Sequence, residues 1–212
     1  MTVERSRVDE RLDLVATLLL ALATVATAWS GYQASRWNGE QAKAASRTTG
    51  IRILAARAQS LAQAQTEVDV ATFSSWADAY ARKETALADF YFKRFRAEFK
   101  PAVQAWIATR PLKNPRAPLT PFAMPEYKLR AEVEADRLDA ESARSAATVQ
   151  RYIQRSTDYV LAAVLFATTL FFAGISTKLP TVRLRRVLLG IGVIVFVATS
   201  VWLATSPVSL SV

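Results

Sequence analysis

The chain has 212 residues, of which 51% are hydrophobic, and carries 27 Lys and Arg against 18 Asp and Glu for a net +9, with neither His nor Cys. Those two absences remove thiol nucleophiles, disulfides, Cys or His metal ligands, imidazole bases and histidine-ligated haem. Between residues 30 and 157, 20 Lys and Arg stand against 13 Asp and Glu, a net +7 with the signs interspersed, so the charge reads as a solvated helix surface and nucleic acid is not an expected partner.

Residues 1–13 hold Arg5, Arg7 and Arg11 ahead of an apolar run at 14–29, with a first membrane span predicted over 14–32. Ala26-Thr27-Ala28 has the small-x-small form of a signal-peptide cleavage site. Asp9, Glu10 and Asp13 dilute the basic flank and Trp29 is a poor residue after a cut, so a retained anchor is expected.

From 30 to about 109 the composition favours helix, with only three Gly (Gly31, Gly39 and Gly50) and a single late Pro (Pro101). Leu54, Leu61 and Val68 recur every seven residues, and Phe73, Trp76, Tyr80 and Leu87 extend the apolar series, which predicts an amphipathic, coiled-coil-like stripe. Kinks are expected near Thr48-Thr49-Gly50 and over residues 72–75, with a capping box from Ser75 to Asp78 if a helix restarts there.

The densest aromatic and basic stretch follows. Continued as helix, it sets Phe92, Phe95, Phe99 and Trp106 on one face with Lys93, Arg96 and Lys100 largely off it. Such a face suits packing on the returning helix, an interfacial position on lipid headgroups, or a partner groove.

Five prolines between 111 and 125 predict an extended linker over 110–125, and Pro118-x-x-Pro121 reads as connection rather than as a recognition ligand. A second long helix is predicted from about Glu126, with Ala131, Ala135, Leu138, Ser142, Ser145, Val149 and Tyr152 as a small-residue seam. It continues without a breaker into a second span at 158–177, a rod of roughly 75 Å. The loop 178–186 carries Lys178, Arg183, Arg185 and Arg186 with no acid, and a third span follows at 187–205.

Basic short loops stay inside, which places residues 1–13 and 178–186 in the cytoplasm, and the 33–157 stalk and the 206–212 tail outside. Trp29, Tyr32, Trp37, Tyr159 and Trp202 then fall at the outer interface. The expected fold is all-α, with three membrane helices and a long-helix stalk or bundle.

No ionisable side chain lies inside the spans, which argues against an ion-coupled transporter. Gly190, Gly192, Ala163 and Ala167 supply small faces for helix packing or homo-oligomerisation, and Thr168, Thr169 and Thr199 keep an oligomeric channel open as the alternative. Asp158 with Arg155 nearby reads as an interfacial anchor. No catalytic constellation, cofactor or metal site is expected, and the expected partners are the lipid bilayer, a second copy and an envelope protein.

The run from Asp158 through Tyr-Val-Leu-Ala-Ala-Val-Leu-Phe to Ser176, with its basic loop and following span, resembles uncharacterised bacterial membrane proteins. These have one N-terminal span, a helical middle and a C-terminal hairpin. Trp29-Ser-Gly-Tyr-Gln-Ala-Ser-Arg-Trp-Asn is similar to their first helix as it leaves the bilayer. The resemblance implies a bacterial inner membrane and carries over no functional residue.

Overall fold

The computed structural model describes residues 7–208, with side chains from Asp9 onward. Arg5, the side chain of Arg7 and the last four tail residues, named in the topology argument, lie outside the described residues. Among the described residues, five α-helices and one 3-10 turn make up the fold: α1 (Arg7–Ala81), α2 (Thr85–Arg94), α3 (Lys100–Ala108), the turn Pro121–Ala123, α4 (Arg130–Ser176) and α5 (Val182–Ala204). The described residues contain no strand, so the fold is all-α. Three of the helices (α1, α4 and α5) are long and apolar enough to cross a membrane.

The chain divides into two compact units, the first of residues 1–46 and 146–212, the second of residues 47–145. In the first unit, antiparallel stretches of α1 and α4 pack with α5. Ala16, Leu19, Ala173 and Leu189 form one cluster of this interior, and Ala34, Trp37 and Tyr159 another. Around it lies a belt of exposed apolar side chains, among them Leu18, Leu22, Val25, Val164, Phe171, Ile194 and Val201. A belt of this extent on all three helices is the surface expected of a segment solvated by lipid.

The second unit is built on the C-terminal part of α1, the short α2 and α3, the Pro-rich segment and the start of α4. Its core gathers Trp76, Phe95, Phe99 and Val103, with Phe73, Trp106, Phe122 and Tyr127 packed around them. Phe99 stacks on Phe122 at 5.0 Å between ring centroids and meets Phe95 edge-on at 5.2 Å. Such pairs add about 0.5–1.5 kcal/mol beyond area burial.

The helix breaks differ from those predicted. Helix α1 continues through Thr48 to Gly50 and through residues 72–75 without interruption. Thr72 and Ser74 return their hydroxyls to Val68 O and Val70 O, and Ser75 donates to Ala71 O, so none acts as a cap. The break falls at Lys83, whose φ of 61° lies in the left-handed region. Glu84 N donates to Ala79 O and Lys83 N to Tyr80 O, the 6→1 and 5→2 bonds of a Schellman ending. Glycine is the usual residue there, so no glycine marked the stop. A second break spans residues 95–99, where Phe95 is extended and Pro101 enters the first turn of α3.

The predicted stripe is displaced by one residue. Leu54, Leu61 and Val68 are exposed, while Thr48, Ala55, Ala62, Asp69 and Trp76 form the buried seven-residue series. Small residues occupy the seam because α4 approaches closely. Thr48 Oγ1 lies 2.6 Å from Ser145 Oγ, and Arg52 Nε donates to Ser142 Oγ at 3.3 Å. On α4, Ala131, Ala135, Leu138 and Ser142 are buried as the predicted seam requires, with Ser145, Val149 and Tyr152 half-buried. The Pro-rich segment is folded onto the second unit. Pro121 is buried, and Trp106 Nε1 donates to Pro118 O at 2.7 Å.

Candidate functional site

The predicted aromatic and basic surface does not form one helical face, because the turn at 95–99 redirects it. Phe95 and Phe99 become core residues at 4% and 0% exposure, and Phe92 and Trp106 are half-buried against them. This corrects the interfacial reading of those rings. Phe95 and Phe99 pack within the core formed with α1 and the Pro-rich segment, which withdraws these two rings from headgroups. Lys93 stays exposed, Lys100 Nζ donates to Lys93 O at 3.3 Å, and Arg96 turns inward.

Arg96 organises the polar centre of the second unit. Its Nη1 donates to Asp69 Oδ2 at 2.7 Å and its Nη2 to Glu98 Oε2 at 2.9 Å, while Arg130 Nε donates to Glu98 Oε1 at 2.5 Å. Tyr127 OH lies 3.3 Å from Asp69 Oδ2 and 3.2 Å from Thr66 Oγ1. The cluster therefore ties together α1, the 95–99 turn and the entry to α4. The Asp69 side chain is 1% exposed, and its Oδ1 is buried without a partner, as is Gln65 Oε1 one turn earlier.

Burial pushes the Asp69 carboxyl up, against the opposing pull of Arg96, because desolvation disfavours its charged form. The Arg130 hydrogen bond holds Glu98 below the usual carboxylate range. Burial also raises Tyr127. A paired, enclosed carboxylate of this kind fastens segments together; it presents no open acid or base to a substrate. Sequence reading missed Asp69, Tyr127 and Thr66, since a single Asp in a polar helix ordinarily faces water. The signal was there in the seven-residue frame 55, 62, 69, 76, which places Asp69 on the seam.

In the first unit, the topology residues separate. Lys178, Arg183 and Arg186 are exposed, whereas Arg185 is buried and bonds Asp13, with Asp9 at 3.8 Å. The start of α1 and the start of α5 thus lie at the same end of the three-helix unit. No family model, curated protein or solved structure matches the chain. Its functional reading therefore rests on its own residues.

The packing residues also separate. A Cβ at Gly192 would meet Leu19 Cδ2 at 3.4 Å and Phe172 Cβ at 3.5 Å, so this glycine admits α1 and α4 to α5. Gly190 faces open space, Ala163 is half-buried and Ala167 is exposed. The α4 contact face runs instead through Tyr159, Ala162, Phe166, Thr169 and Ala173. Of the five aromatics assigned to the outer interface, Trp29, Tyr32 and Trp202 are exposed, and Trp37 and Tyr159 are packed inside.

Proposed function

We propose that this chain is a non-enzymatic scaffold or accessory protein of a bacterial inner membrane, whose second unit lies outside the cytoplasm and pairs with a second copy. The observation that carries the reading is the row Leu54, Leu61 and Val68 on the flank of the α1 seam, each 50–54% exposed and two helical turns apart. An apolar side chain every seventh residue on an exposed helix favours a helical partner in register. Copies anchored in one membrane run in the same direction, so each of these residues meets its own counterpart. The basic 178–186 segment, which includes the first turn of α5, and Arg11, at one end of the first unit, support an N-terminus inside.

The oligomeric channel draws less support. Thr169 and Thr199 are buried in the three-helix seam, and Thr168 and Thr169 donate to Val164 O and Leu165 O of their own helix.

Single cysteines test the proposal against a native background free of thiols. With Leu61→Cys, a bismaleimide is expected to yield a crosslinked dimer in intact membranes. With Val70→Cys, on the opposite side of α1, it is expected to yield only monomer. Equal crosslinking at both positions, or none at 54, 61 and 68, rejects the pairing. Orientation is read from an impermeant maleimide in intact cells, expected to label Ser74→Cys and spare Thr177→Cys.

A further inference from the structure

In the first unit, α1, α4 and α5 leave a cleft of about 280 Å³, lined by Ala26, Trp29, Tyr159, Phe166, Ser200 and Leu203 among others. Its walls are mostly apolar and include the exposed Trp29 and Val208, so it is open to the surroundings that the membrane reading assigns to lipid. Its volume lies near the low end of the roughly 300–1,000 Å³ typical of small-molecule clefts, room for part of one acyl chain.

The polar residues beyond the cleft form a graded set. On α1, Ser30 follows Ala26 by one turn and Trp37 lies two turns further on; on α4, Arg155 precedes Tyr159 by one turn. Tyr159 lines the cleft and also belongs to the Trp37 cluster, so it joins the two zones. The half-buried Arg155 guanidinium lies 4.6 Å from the centre of the Trp37 ring and 6.0 Å from that of Tyr152. Among the described residues Arg155 has no carboxylate within ion-pairing distance. Trp37 Nε1 and Ser30 Oγ are also buried without partners. The zone next to the cleft is therefore rich in donors and carries a cation held in place by aromatic rings.

A guanidinium in that setting is suited to a phosphate, which it binds through paired N–H donors. We propose that this unit binds one anionic phospholipid, with an acyl chain in the cleft and the phosphodiester at Arg155. Basic sites at the ends of membrane helices recognise anionic headgroups by the same chemistry. Cation–ring contact holds the guanidinium over Trp37, so less side-chain freedom is lost on binding.

The test uses the full chain in nanodiscs containing equal amounts of phosphatidylglycerol and phosphatidylcholine, extracted into mild detergent and weighed by native mass spectrometry. One phosphatidylglycerol is expected to remain per chain, in at least tenfold excess over phosphatidylcholine. Arg155→Gln is expected to abolish that preference, and Ser200→Phe, which fills the cleft, to reduce retention of either lipid about tenfold. Arg155→Lys should restore part of the preference, which a merely misfolded variant would not do. A wild-type chain with no retained lipid overturns the proposal. So does equal retention of the two lipids, or a preference that survives Arg155→Gln.

Discussion

Replacing Arg96 with Met tests the polar centre of the second unit most directly. The substitution keeps the aliphatic stem and deletes the guanidinium, leaving Asp69 with a single hydrogen bond, from Tyr127 at 3.3 Å, on an otherwise enclosed carboxylate. Removing one partner of a buried pair costs roughly 3–5 kcal/mol. Arg96 is 24% exposed, so water reaches its side of the pair and the low end, about 3 kcal/mol, applies.

Opening of the 95–103 segment should then be favoured about a hundredfold, at about 1.4 kcal/mol per tenfold. Hydrogen exchange with mass spectrometry on the full chain in detergent reads this as faster amide exchange in that segment, with residues 159–175 unchanged. Asp69→Asn should cost less than about 1 kcal/mol, because it removes the charge whose burial is unfavourable. The double variant Asp69→Asn/Arg96→Met should recover more than half of the loss. If Asp69→Asn is as damaging as Arg96→Met, or if the two losses simply add, the pair is not coupled and the reasoning fails.

Stability against pH follows from two carboxyls of opposite sign. Asp69 is raised, so its contribution is full below the ordinary value near 3.8 and is lost as pH rises through the raised value. Glu98 is lowered, so its contribution is present above the ordinary value near 4.5 and is lost as pH falls through the lowered one. Melting in detergent between pH 3 and 7 should show only the acid-side loss in Asp69→Asn, and only the decline with rising pH in Glu98→Gln. Lys83→Gly should stabilise the second unit by about 1 kcal/mol, since φ of 61° penalises a side chain; an unchanged urea midpoint would contradict this. Gly192→Leu should lower the melting temperature of the first unit through collision with Leu19 and Phe172, whereas Gly190→Leu should be tolerated.

The three helices long and apolar enough to cross a membrane were legible because an uncharged run of sixteen or more mostly apolar residues has few other interpretations. The α4 seam was legible because its small residues recur at helical spacing. The turn at Lys83 was hidden, since it is held by backbone hydrogen bonds rather than by glycine. The displaced α1 stripe has a related cause: large residues drew attention to 54, 61 and 68, whereas close helix approach selects the alanines at 55 and 62. Pro101 did signal the second break, and weighing it would have separated Phe95 from Phe99 and broken up the single aromatic face. The Asp69 centre depends on partners 27 and 58 residues away, a separation that helical periodicity does not encode.

The pairing of Arg185 with Asp13 joins residues 172 positions apart. Closing a loop of that length costs entropy that one charge pair does not repay, so the contact follows from the packing of α1, α4 and α5 rather than causing it.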